Sequence, residues 1–259
     1  MADPEATAAD QAAIAVAKHC HDLIEQAGPS CVAVKPQLAC FERLGSAGWI
    51  ALDAVCRTAQ EAGLLVIADG KRGDVPVTAA AYGQALVGET PTPWGPVRGL
   101  GADAFTANPL LGRDALEPLV AAAAAAGAGI FALVRTSNPG AADLQDLPAP
   151  EAPLHERLAA IVDELAERLQ GESGLSGMGA VVGATEPQHF ARMRELMPRA
   201  IFLIPGVGAQ GGKPELLGAA FSAGRAAGLV AASRGIAADP DPAAAAERLR
   251  QSVWEISTA

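Results

Sequence analysis

No stretch of this 259-residue chain is long and apolar enough to cross a bilayer. Its longest alanine run covers residues 121–126, far short of the roughly 20 apolar residues a spanning helix needs. The first ten residues lack both a basic segment and an apolar segment, which argues against a secretory signal. Basic residues are scarce: 19 Lys and Arg stand against 29 Asp and Glu, a net charge of −10. Neither nucleic acid nor an acidic membrane surface is therefore expected as a partner, although local donors can still bind a small anion. Cysteine is limited to Cys20, Cys31, Cys40 and Cys56, with no C-x-x-C pair. They read as reduced core thiols of a cytoplasmic protein, with a disulfide or zinc role as the lesser alternative. His19, His21, His155 and His189 form no H-x-x-x-H or H-E-x-x-H pattern, so spacing predicts no metal site.

What the chain does contain is a core. Half of its residues are hydrophobic and 19% are charged, a globular balance. Short apolar runs fall at residues 31–34, 64–68, 102–106, 129–134, 179–182, 201–204 and 229–232. They do not alternate with polar residues, as befits strands buried on both faces. Amphipathic stretches separate them, at 11–27, 47–62, 76–87, 113–126, 152–169, 187–196, 214–223 and 242–256. Strand–helix alternation predicts right-handed crossovers and a parallel sheet. Segments 88–101 and 139–153 read as long loops. No linker or repeat divides the chain, so one domain over residues 1–259 is expected. Seven strands and eight helices come one strand short of a (β/α)₈ TIM barrel, and the chain opens on a helix where a strand should come first.

Three strand ends carry chemistry. Ala68-Asp69-Gly70-Lys71-Arg72-Gly73-Asp74 closes the second apolar run. In extended backbone Asp69 and Lys71 point the same way, which puts a carboxylate beside an ammonium at a barrel mouth, with Asp74 following. Lys35 ends the first run similarly. Two lysines and two carboxylates in one cluster keep each other ionised; the plain alternative is a solvated salt-bridged loop. The second signal is Pro205-Gly206-Val207-Gly208-Ala209-Gln210-Gly211-Gly212 after one strand and Ser233-Arg234-Gly235-Ile236 after the next. Glycine-rich backbone and an arginine after the last two strands are a common phosphate site of barrels, unless they are simply two glycine turns. Arg135-Thr136-Ser137-Asn138-Pro139-Gly140 is the third: Ser137 and Asn138 either meet the edge of a heterocycle or cap a loop.

Together these segments resemble the orotidine 5′-phosphate decarboxylase family, in particular its bacterial subgroup with Val-Lys-Pro-Gln and Asp-x-Lys-Arg-Gly-Asp motifs. The matches run in order: Val34-Lys35-Pro36-Gln37, Phe41-Glu42, Ala68 to Asp74 with Thr78, Thr106 to Gly112, Thr136 to Gly140, Val182-Gly183-Ala184-Thr185, Pro205 to Gly212 and Ser233 to Ile236. The resemblance implies cofactor-independent and metal-free decarboxylation of orotidylate to uridylate in pyrimidine biosynthesis. It implies catalytic roles for Lys35, Asp69, Lys71 and Asp74. Asp69 faces the substrate carboxylate, and Lys71 stabilises and protonates the carbanion at C6. Asp74 and Thr78 serve the neighbouring subunit of a homodimer. The remaining implied contacts are Ser137 and Asn138 at the pyrimidine, then Pro205, Gly206, Val207, Gln210 and Arg234 at the phosphate. One departure stands out: the family opens with a strand ending in Gly-x-Asp-Pro, whose Asp holds the ribose, whereas here only Asp3-Pro4 occurs, with no apolar run before it. The barrel is therefore expected to lack its first strand, from a late start or a truncation. The rivals are a metal-dependent sugar-phosphate decarboxylase or synthase of the same barrel type, and a truncated nucleotide-binding form without catalysis.

Overall fold

The computed structural model describes residues 6–148 and 150–258; the Asp3-Pro4 pair lies outside them. The chain enters helix α1 (Ala8–Ala27) through a capping box. The Thr7 hydroxyl accepts the Asp10 N–H at 3.2 Å, and the Asp10 carboxylate accepts the Thr7 N–H at 3.0 Å, so two otherwise orphaned donors are satisfied. Strand β1 (Ala33–Val34), a short helix α2 (Leu38–Glu42) and helix α3 (Gly45–Glu61) follow. Next come β2 (Leu65–Arg72), α4 (Pro76–Leu86), the small strands β3 (Glu89–Thr90) and β4 (Val97–Arg98), β5 (Ala104–Ala107) and α5 (Arg113–Ala126). The second half contains β6 (Gly129–Arg135), α6 (Leu154–Ala166), β7 (Ser176–Val182), α7 (His189–Leu196), β8 (Ala200–Pro205), β9 (Gly228–Ala231), α8 (Arg234–Ala237) and α9 (Pro242–Ile256). Proline opens α4 and α9, where its missing N–H breaks no helical bond.

Seven strands form one parallel sheet in the order β1-β2-β5-β6-β7-β8-β9. Each crossover thus advances by one position, the winding of a β/α barrel. The expected seven strands are all present, and among the described residues β1 and β9 remain the two sheet edges. The sheet nevertheless curls. Ile67, Ala104, Phe131, Val181 and Leu203 form an inner cluster, and Ala33 of β1 packs against it together with Leu229 and Ala231 of β9. Side chains from opposite edges of the sheet thereby share one interior. The outward set, which includes Val66, Phe105, Ile130, Met178 and Phe202, lies under the helices in the main core. Burial on both faces explains why the strands read as unbroken apolar runs.

Three local expectations need correction. Segment 214–223 forms two short 3₁₀ turns, Pro214–Leu216 and Gly218–Phe221, instead of an α-helix. Pro214 only opens the first turn, and Gly218 between the two turns lowers helix propensity, so the backbone stays in short 3₁₀ pieces. The loop 88–101 contains the β3–β4 antiparallel ribbon. Only Cys56 is a core thiol: Cys20 and Cys31 are half-buried and Cys40 is exposed. Burial pushes the Cys56 thiol up to about 12, aided by the nearby Asp53 charge. All four thiols are free. Among the described residues no helix is long and apolar enough to cross a membrane.

Candidate active site

The charge cluster forms where β1 and β2 end side by side. The register that pairs Val34 with Val66 continues past the strand as a bridge between Gln37 and Asp69, with the Asp69 N–H donating to the Pro36 carbonyl at 3.0 Å. This holds Lys35 and Asp69 at neighbouring strand ends. Lys35 Nζ lies 2.5 Å from Asp69 Oδ2, and Lys71 Nζ lies 2.6 Å from Oδ1. Two further donors complete the carboxylate. The Thr106 hydroxyl, from β5, donates to Oδ1 at 2.8 Å. The Gln37 side-chain amide, with its nitrogen turned toward Asp69, donates to Oδ2 at 2.8 Å and to the Asp69 main-chain carbonyl at 2.7 Å.

Asp69 is only 6% exposed. Burial raises its pKa, but the Lys35 charge, hydrogen bonds from both lysines and the Lys71 charge outweigh that effect, so the net shift is downward. It remains an anion at acidities where a free aspartate begins to protonate.

Lys71 reaches Asp69 by a route that simple alternation does not describe. It has φ +48°, the only positive φ outside glycine among the described residues. The β2–β5 register also slips between Ala68 and Arg72: four steps on β2 match two on β5. The two extra residues make an irregularity of the bulge type, and a bulge at a strand end re-aims side chains. The Lys71 N–H donates to Thr106 Oγ1 at 2.8 Å, so one buried hydroxyl ties both the strained backbone and the carboxylate. On the next residue, Arg72 pairs with Glu42 of α2 and lies over the Tyr82 ring at 5.5 Å, which anchors the far side of the bulge. Thr106 and Gln37 were visible only as members of longer motifs; nothing in their spacing marks them as Asp69 partners. Thr106→Val, which keeps the shape and removes the hydroxyl, is expected to cut turnover by about tenfold to a hundredfold, since small misplacements of reacting groups cost about that much. Thr106→Ser should restore most of it in the same steady-state assay.

Asp74 does not join the cluster within its own chain. It is half-buried in the loop before α4, accepts the Val75 N–H at 2.7 Å and forms no ion pair among the described residues. Thr78 is exposed on the first turn of α4.

The second group of predicted residues meets at the ends of β6, β8 and β9. β8 and β9 pair in register up to Pro205 and Ala231, which sets the loops after them side by side. Pro205 ends β8, and Gly206 turns the chain with φ +103°. A Cβ there would also crowd Ser137 Cβ at 3.0 Å, so backbone conformation and space both favour glycine. Val207 continues as a bridge to Gly212, which closes a tight loop that presents Gln210. Arg234 opens α8, exposed and without an ion-pair partner among the described residues. The Ser137 hydroxyl donates to Gln210 Oε1 at 2.9 Å, joining the loop after β6 to the loop after β8. Asn138 is exposed, and its Oδ1 accepts the Thr136 hydroxyl at 2.7 Å. Among the described residues no group of three His, Cys, Asp or Glu side chains is placed to hold a metal ion.

A curled parallel β/α sheet, with a charge cluster at the end of its second strand and glycine- and arginine-bearing loops after its last two, defines a protein of the β/α-barrel class. The family model described as the orotidine 5′-phosphate decarboxylase / HUMPS family matches residues 5–249, and the chain belongs to that family. It is 43% identical over 230 residues to an orotidine 5′-phosphate decarboxylase of Rhodopirellula baltica, covering 88% of this chain and 74% of that protein. It is 44% identical over 216 residues to that of Deinococcus radiodurans, covering 83% and 74%. Among solved structures, the OMP decarboxylase of Leishmania donovani superimposes with a TM-score of 0.77 at 35% identity, over 99% of this chain and 92% of that one.

Proposed function

We propose that this chain decarboxylates orotidine 5′-phosphate to uridine 5′-phosphate. The observation that carries the reading is the buried Asp69 carboxylate held between two ammonium groups at the mouth of the sheet. A substrate carboxylate placed beside Asp69 meets fixed negative charge. Once the C6–carboxylate bond breaks, CO2 leaves and the electron pair stays on C6. There the Lys71 ammonium stabilises the pair and then donates a proton, forming the C6–H bond; neutral Lys71 recovers its proton from water. The charges are already in place before the reaction, so they favour the transition state without reorganisation. In this proposal Ser137 and Asn138 face the pyrimidine, while Gln210, Arg234 and the backbone of Pro205, Gly206 and Val207 hold the phosphate. Phosphate binding far from C6 supplies energy for the chemical step.

The active form is proposed to be a cytoplasmic homodimer with shared sites. Its support lies around Asp74. Among the described residues this carboxylate has no cationic partner, and Val75 and Val77 beside it are exposed, Val77 to 85%. Leu110 and Leu111, in the loop after the adjacent strand β5, are exposed as well. An apolar rim around an unpaired carboxylate suits a second copy bringing its own lysines.

Turnover of orotidylate, followed by its ultraviolet absorbance, tests the activity. The rate is expected to be unchanged after exhaustive chelation. Loss of activity on chelation, with recovery on adding a divalent ion, would instead support the metal-dependent sugar-phosphate reading. Uridylate binding without any turnover would support the non-catalytic one.

A further inference from the structure

The segment that carries Ser137 leaves β6, makes a 3₁₀ turn at Pro139–Asp143 and runs on to α6. Loops of this length are ordinarily mobile unless something ties them down. Here the tie is built from residues with no part in the chemistry above. Arg135, the last residue of β6, is 5% exposed. Its Nε and Nη2 donate to the two Asp146 carboxylate oxygens at 2.8 and 2.9 Å, and its Nη1 donates to the Thr136 carbonyl at 2.8 Å. One step along, the Thr136 N–H donates to Gln145 Oε1 at 2.8 Å, and Gln145 Nε2 donates to Thr136 Oγ1 at 3.0 Å. The Gln145 carbonyl is held in turn by the His155 N–H at 2.9 Å, from α6. Hydrogen bonds and charge from Arg135 lower the Asp146 pKa, as a bidentate guanidinium pair should.

The loop is therefore closed into a ring. Residues 135 and 136 are clasped side by side to residues 146 and 145, and the clasp releases the chain at Ser137. From there Ser137 is fitted closely into its neighbours. Its carbonyl accepts the Thr185 hydroxyl at 3.1 Å, and a Cβ on Gly183 would stand 2.6 Å from its Cα. Its hydroxyl then spans to Gln210.

We propose that the Arg135–Asp146 and Thr136–Gln145 pairs are positioning residues for base recognition: they set Ser137 at the height where it meets the pyrimidine, while Gln210 keeps its own place in the loop closed by the Val207–Gly212 bridge. This rests on the reading of Ser137 as the pyrimidine contact. A clasp of this kind confers ring affinity without touching the ring. A freed loop must be ordered on binding, and that ordering weakens affinity for the base alone.

The test compares binding of uridine 5′-phosphate with binding of ribose 5-phosphate, which has the same phosphate and sugar but no base. Asp146→Asn removes the charge and one acceptor, and Gln145→Ala removes the other half of the clasp. Both side chains lie on the loop, and Gln145→Ala leaves the buried arginine paired. Each variant is expected to bind uridylate about fivefold to tenfold more weakly, the magnitude of one or two hydrogen bonds, with ribose 5-phosphate affinity unchanged within twofold. Arg135→Lys should not rescue, because an ammonium cannot span both carboxylate oxygens. Equal weakening of both ligands in a folded variant, or no weakening of either, overturns the proposal. Ser137→Ala is the separate control. If it leaves uridylate binding intact, the base-contact reading of Ser137 fails; if it weakens uridylate while the clasp variants do not, only the clasp proposal fails.

Discussion

Lys71→Ala is expected to lower orotidylate turnover by more than about a thousandfold while the protein stays folded. The size follows from two roles on one group. General acid catalysis alone is worth about 10²–10⁴, and the lysine's charge beside the developing carbanion adds an electrostatic contribution. Survival of the fold follows from the geometry around Asp69. With Lys71 removed, the carboxylate still has Lys35 at 2.5 Å and donors from Thr106 and Gln37, so no uncompensated charge is left in the interior. The αL backbone at position 71 is equally strained for alanine and lysine, since both carry a Cβ. Lys71→Arg should fail to rescue, because a guanidinium does not give up its proton in this range. Single-turnover rates, thermal unfolding and uridylate binding together check the claim. More than a thousandth of the wild-type rate in Lys71→Ala would remove Lys71 from the proton-donor role.

The difference between what could be read from the residues and what needed coordinates is physical. The parallel sheet was legible because both-face burial makes each strand an uninterrupted apolar run, and the seven runs correspond to the seven sheet strands. Lys35, Asp69 and Lys71 could be grouped because strand ends in a parallel sheet share one edge. The way they converge could not. Alternation along an extended strand predicts Asp69 and Lys71 on one side, yet the chain achieves this through a register slip and a left-handed residue. Both depend on Thr106, 35 residues beyond Lys71. A hydroxyl that bonds across strands has no periodic signature, so it reads as one more strand threonine. The same holds for Asp146: it sits in a polar loop, and its partner is a buried arginine that the sequence shows only as the residue after an apolar run. The 3₁₀ turns at 214–221 escape the reading for a different reason: apolar spacing resembles a helix there, while Gly218 between the turns decides the backbone.

Mixing two inactive chains is expected to restore activity. Asp74 and Lys71 stand three residues apart, yet in one chain they do not meet: Lys71 pairs with Asp69, and Asp74 caps its own neighbour, Val75. If Asp74 instead completes the partner's site, a two-fold axis makes the exchange reciprocal. Each site then takes Lys71 from one chain and Asp74 from the other. In a heterodimer of Asp74→Asn and Lys71→Ala chains, one site receives both defects and the other receives neither. With random exchange at equal mixing, about half the dimers are heterodimers, so about a quarter of all sites are sound. The recovered rate should approach a quarter of the wild-type value per site and rise with the time course of subunit exchange. Each variant alone should stay near its own low baseline. A dissociating pretreatment, or labelled chains read by energy transfer, establishes that exchange has occurred. The exposed Val75 and Val77 offer an internal check: Val77→Asp should weaken the dimer and reduce complementation in step with it, because a charge in an apolar contact is costly unless paired. Exchange without recovery would place the work of Asp74 within its own chain, and the cluster would then have to close by a movement of the 73–75 loop toward Lys71.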